Sequence, residues 1–155
     1  MISILQYDSY FDSIVLRIPG IKSLLLISAE ADFALAIRNL PNEKFPAMLL
    51  IVPSADSIAP TPDSFTEVST CLLYIIQKVE ASEQTASSFL SVMGNTQSLM
   101  ASVKTLMASD KGSHNVQPHI THDINLNAMH TDPEYNFFGC HGWSLSFTIT
   151  NNGFL

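Results

Sequence analysis

The chain reads as an α+β fold: a mainly antiparallel four-stranded sheet, one long helix packed across it, and helices at the N-terminal end. Three observations predict this class. Apolar residues recur at helical spacing near the start and again over a long stretch after residue 83. Two segments in the first half are apolar on both parities, as strands covered on two faces are. The last third holds two segments in which apolar and polar residues alternate, the mark of a half-buried antiparallel pair.

In chain order, Ile4, Tyr7, Phe11, Ile14 and Ile18 fall on one helical face, with Asp8, Ser9, Asp12 and Ser13 largely on the other, and Pro19-Gly20 ends the helix. Leu24-Leu25-Leu26-Ile27 is short enough for a buried strand or a helix turn. Ser28 can cap a second helix to about Leu40, with Glu30 and Asp32 near its positive end, and Pro41-Asn42 stops it. Phe45 to Pro53 reads as a doubly covered strand, with Pro46 at its beginning or on an edge because proline donates no ladder bond. Ser54 to Ser64, containing Pro60-Thr61-Pro62-Asp63, reads as a polar loop long enough to be an exposed arm. A second buried strand spans Phe65 to Val79, and one of its ends projects beyond the sheet.

The long helix runs from about Glu83 to Ser109. Phe89, Met93, Thr96, Met100, Val103 and Met107 form its stripe, widened by Val92, Leu99 and Leu106. The methionines at 93, 100 and 107 read as core filler or as a deformable interaction surface. Gly94 inside this helix suggests that something packs closely there. The closing strands are Ile120 to Asn127 and Gly142 to Thr150. Between them Thr131-Asp132-Pro133-Glu134 and Gly139 to Gly142 mark a connecting loop with Tyr135, Phe137 and Phe138. A length of 155 residues fits one domain, 1–155, with an N-terminal helical segment 1–40 and an α+β core 41–155.

Composition narrows the function. Apolar residues make up 46% and charged residues only 14%, so a core forms while Ser, Thr and Asn cover the outside, as on a subunit that buries surface against neighbours. Net charge is −7, and Arg17, Lys22, Arg38, Lys44, Lys78, Lys104 and Lys111 never cluster, which argues against phosphate-led binding of nucleic acid. Met1-Ile2-Ser3 lacks a basic start, and no apolar run approaches a membrane span, so the expectation is a cytoplasmic protein. Cys71 sits in an apolar run, and a reducing compartment fits it and the distant Cys140 better than a disulfide.

All five histidines, His114, His119, His122, His130 and His141, lie in the last third, with Cys140 beside the last. Zinc needs several N or S ligands converging in a tetrahedron. His119 and His122 point to opposite faces of a strand, Cys140 and His141 diverge if extended, and no CxxC or HExxH spacing occurs. Cys140 with His141 also lacks the third group that orients a catalytic base. Asp132 precedes proline as a turn starter, and Glu134 has no evident partner. No phosphate-binding or hydrolase-elbow motif is present. No catalytic, cofactor-binding or metal-ligating residue is assigned, and the chain reads as a non-enzyme without a cofactor.

The order of elements resembles the bacteriophage tail terminator group and the related neck subunits of contractile phage-like particles. The resemblance is carried by the N-terminal helix, the proline-preceded strand (Phe45 to Val52), the long second strand, the long helix and the closing β-pair. It extends to Asp132-Pro133-Glu134-Tyr135-Asn136, leading through Gly139 to Gly142-Trp143-Ser144-Leu145-Ser146-Phe147. The segment from Gly20 to Leu40 is additional to the shortest members. The resemblance implies a structural virion protein that forms a ring, commonly a hexamer, on the end of the tail tube and joins it to the head connector. Its implied partners are further copies of itself, the tail tube protein and the connector or neck proteins. It would reside in the virion, and in host cytoplasm during assembly. A head-completion subunit is the nearest alternative. A monomeric ligand- or peptide-binding domain using Tyr135, Phe137 and Phe138 is another, and a histidine-based metalloenzyme a third.

Overall fold

The computed structural model describes residues 2–29, 32–61, 64–80, 85–113, 120 and 123–154. Helix α1 (Ile4–Arg17) begins at Ser3, whose hydroxyl accepts from the Gln6 N–H and so satisfies one of the free donors of the first turn. Tyr7, Phe11, Ile14 and Ile18 are buried, as the spacing predicts; Tyr10 is buried beside them, outside the predicted stripe, and Ile4 is exposed at the helix start. The ambiguous leucine run is strand β1 (Ser23–Ile27). Helix α2 (Phe33–Asn39) starts at Asp32 and not at Ser28, whose hydroxyl instead donates to the Asp32 carboxylate. Glu30 lies outside the described residues.

Strand β2 (Ala47–Ile51) follows Pro46 directly and continues through Val52-Pro53 into β3 (Ser54–Thr61). The expected polar loop is thus largely a strand; its residues Pro62 and Asp63 lie outside the described residues. Strand β4 (Ser64–Lys78) carries 15 residues, and α3 (Ala86–Lys111) starts at a Thr85–Ser88 capping box and ends at Gly112. Strands β5 (Ile124–Phe137) and β6 (Cys140–Phe154) form a longer hairpin than the alternation shows, because both extend through the expected connecting loop.

Among the described residues the sheet has six strands and not four. Its order is β1-β2-β4-β6-β5, with β3 beside the outer half of β4. β1 pairs with β2 in parallel, Ser23 opposite Ala47, while every other pairing is antiparallel. The two extra strands come from segments too short or too polar to declare themselves. The N-terminal segment is therefore not purely helical, since β1 belongs to the sheet.

Register decides what each face meets. On β4, Cys71, Leu73 and Ile75 join one buried cluster with Met48, Leu50, Leu145, Phe147, the inner side of α1, and Met100, Val103 and Met107 of α3. Leu72, Tyr74 and Ile76 face the opposite cluster with Ala47, Leu49 and Phe33 and Ile37 of α2. Each large side chain so buried contributes roughly 1.5–3 kcal/mol. Met93, Met100 and Met107 are core filler, each at most 8% exposed.

Gly142 sits where β6 passes β4. A Cβ there would lie 2.0 Å from the Ile75 carbonyl oxygen, so only glycine permits this approach. Gly94, by contrast, has open space around its Cα, and no close packing explains it. Two outcomes are expected in urea unfolding. Gly142→Ala lowers stability by about 2 kcal/mol or more, because backbone must move. Gly94→Ala raises it by about 1 kcal/mol, because an exposed helical glycine is replaced at no steric cost.

Candidate functional site

The histidines do not converge. His114, His119 and His122 lie outside the described residues. His130 pairs with Asp132 at 3.0 Å on an exposed strand. The His141 Nδ1 accepts from the Asn136 N–H at 3.1 Å, and its ring meets Phe89 edge-on, centroids 5.2 Å apart. His141 thereby braces the β5–β6 turn. Among the described residues no group of three or more His, Cys, Asp or Glu side chains is placed to hold a metal.

Cys71 and Cys140 are free, buried thiols on opposite faces of the sheet. Burial pushes both up to about 12, so neither supplies a thiolate near neutral pH.

The aromatic residues of the β5–β6 turn pack within the molecule. Phe137 stacks on Tyr74 at 4.9 Å, and Phe138 stacks on Phe33 of α2 at 6.3 Å. Asn136 and Phe138 hold positive φ angles of 52° and 50°, a conformation unfavourable for a side chain the size of Phe138. The stacking in this cluster offsets that strain. Tyr135 remains 60% exposed beside Phe89.

A buried ionic group ties the two helices of the main face together. Asp110, at the end of α3, accepts two bonds from the Arg17 guanidinium, at 2.9 and 2.5 Å, and one from the Tyr10 hydroxyl at 3.1 Å. The bidentate geometry with Arg17 holds the Asp110 carboxyl below its ordinary value, against the opposing effect of burial.

What remains open is the distal half of the sheet. On the α2 side, cover stops at Leu72. Beyond it the same face carries Thr70, Val68 and Thr66 on β4, and Ser146, Thr148 and Thr150 on β6. Ser54, Asp56 and Ile58 extend it on β3, and Asn125, His130 and Asp132 on β5. None of these residues is Lys or Arg. The outer edge of β3 has no strand against it among the described residues, and its side chains from Ser54 to Ile58 are exposed. This region is an open sheet surface whose outer strand edge has no partner among the described residues. Neither single alternation nor local composition reveals it, because the β3 segment reads as a loop.

Compared with known protein families and with curated proteins, the chain matches none. No helix among the described residues is long and apolar enough to cross a membrane.

The Asp110 clamp sets a pH dependence. A carboxyl held below its ordinary 3.8 stabilises the fold fully above that value. The contribution falls as pH drops through 3.8 and is lost below the depressed folded value. Asp110→Asn is expected to lower stability at pH 7 by about 2 kcal/mol, a figure below that of a fully buried pair because Arg17 is partly exposed. The difference between variant and wild type should shrink on acidification; thermal unfolding from pH 7 to pH 2.5 measures it.

Proposed function

We propose that this chain is a non-catalytic structural subunit that assembles with copies of itself into a closed ring. In the fuller form of the proposal, the ring is a hexamer on the end of a phage tail tube, where it stops the tube and joins it to the head connector. The observation that carries the reading is the distal half of the sheet, with a bare Ser- and Thr-rich face free of cations and an uncovered edge on β3. Open edges are a template for pairing with another chain. The two outer strands of this region, β3 and β5, differ in sequence and shape, so a contact between them is head-to-tail, and a head-to-tail contact closes into a ring when its rotation permits.

Two further features support it. The element order resembles that of tail terminators. A net charge of −7 with dispersed cations disfavours adhesion to DNA passing through a channel. The monomeric aromatic-site reading is weaker, because Phe137 and Phe138 are engaged with Phe33 and Tyr74.

Native mass spectrometry of the purified chain is expected to show a closed oligomer, a hexamer in the fuller reading, without bound metal. Lysine at Ala55 and Ile58, two exposed positions of β3, should shift that oligomer toward monomer while leaving the far-UV spectrum and cooperative unfolding in place. A monomeric wild type that also fails to cap tail tubes would defeat the proposal. An undisturbed ring from the lysine variant would remove β3 from it.

A further inference from the structure

We infer that the groove between α3 and the edge strand β5 receives Asp56 and Ile58 of a neighbouring copy of this chain. The inference rests on the ring reading above and names the contact that closes the ring.

The groove measures about 270 Å³ and is lined by Gln97, Met100, Ala101 and Lys104 of α3, Thr131 of β5 and Trp143 of β6. The Trp143 indole N–H donates to the Met93 carbonyl at 3.0 Å. The ring's one polar atom is thus already bonded, and its carbon surface meets the groove beside Met100 and Ala101. One end of the groove carries a charge. The Lys104 ammonium there meets a neutral group, the Thr131 hydroxyl, at 3.2 Å. No acidic residue is among the described residues that line the groove. Asp132, the next residue on β5, points to the other face of the strand and pairs with His130 at 3.0 Å. In a chain of net charge −7, a half-buried ammonium beside bare apolar surface selects a carboxylate with an apolar neighbour.

Strand β3 carries such a pair. Asp56 and Ile58 are two residues apart, so they project to one face, about 6.7 Å from each other. Both are exposed, Ile58 to 58%. In the groove, Met100 lies one helical turn before Lys104, about 6 Å along α3. The two spacings match. A β3 strand laid antiparallel to α3 brings the Asp56 carboxylate to Lys104 and sets Ile58 on Met100 and Trp143. Asp12 and Leu16, exposed on α1, have the same chemistry. β3 is preferred because its outer edge has no strand against it among the described residues, which opens it from the side as well as the face. β3 and the groove lie toward opposite edges of the sheet, so the contact is head-to-tail, the kind that a closed ring repeats.

The test is native mass spectrometry of the full chain with its charges exchanged. Asp56→Lys and Lys104→Glu, each alone, should weaken subunit association about tenfold or more. Both changes in one chain should restore it to within about threefold of wild type. Circular dichroism checks that each variant folds. A second measurement does not depend on altering Lys104. Ile58→Cys combined with Ala101→Cys, both at exposed positions, should give a disulfide between subunits under mild oxidation, while Cys71 and Cys140 stay buried. Asp12→Lys with Leu16→Ser should assemble as wild type. A monomeric wild type defeats the ring reading and this contact with it. An oligomer that both single exchanges leave intact, or that the double exchange fails to restore, overturns this contact alone and leaves the ring reading standing. So does the absence of a cross-link between positions 58 and 101, or an assembly lost on changing α1 and kept on changing Asp56.

Discussion

The ladder between β4 and β6 is the constraint on which the rest of the molecule depends. It runs without interruption from Ser64 opposite Phe154 to Lys78 opposite Cys140. Because side chains alternate across a strand, one register fixes every face at once. It sets Cys71, Leu73 and Ile75 beside Phe147, Leu145 and Trp143 under α1 and α3, and Leu72 and Tyr74 beside Ser146 and Ser144 on the other side. A slip by one residue would exchange the leucines with the serines and threonines. Gly142 protects the register locally, since the Ile75 carbonyl leaves no room for a side chain there.

The helices then cover only part of what the ladder offers. Phe33 and Ile37 of α2 reach the inner end of one face. On the other, α1 and α3 are joined by the Arg17–Asp110–Tyr10 contacts, which hold the end of one helix to the end of the other. The strands are longer than the helical cover on the α2 side, and the surplus is Ser- and Thr-rich. This sheet region, ordered by its own ladder and left without apolar cover, is the surface that the proposed assembly would use. Phe138 makes the same economy visible at the opposite end, where a strained turn is held by aromatic contacts inside the molecule.

Much of this was legible in the residues. The stripe from Phe89 to Met107 identified α3 and its buried face, and the alternation from Trp143 to Ile149 identified β6 and its polar side. The double parity of Ala47–Ile51 and Cys71–Ile76 identified the central strands. β1 was ambiguous because four consecutive apolar residues carry no period. β3 was hidden because Ser, Asp and Pro favour turns locally, and pairing with β4 overrides that preference. The β5–β6 hairpin is longer than the alternation shows because residues 126–129 form a bulge that breaks it. The Asp110 clamp depends on a contact between residues far apart in sequence, positions 17 and 110, and no local pattern contains it.

Hydrogen exchange of the backbone amides, read by mass spectrometry on the dilute chain and on its assembled form, addresses the central claim most directly. In the dilute chain the amides of Leu72–Ile76 and Ser144–Phe147 should be the most protected, and those of residues 54–61 should exchange far faster. Assembly should then slow exchange along 54–61 with little change at the centre of the ladder. Equal rates along β3 in the two states would contradict the claim that this uncovered edge is where the protein meets its partner.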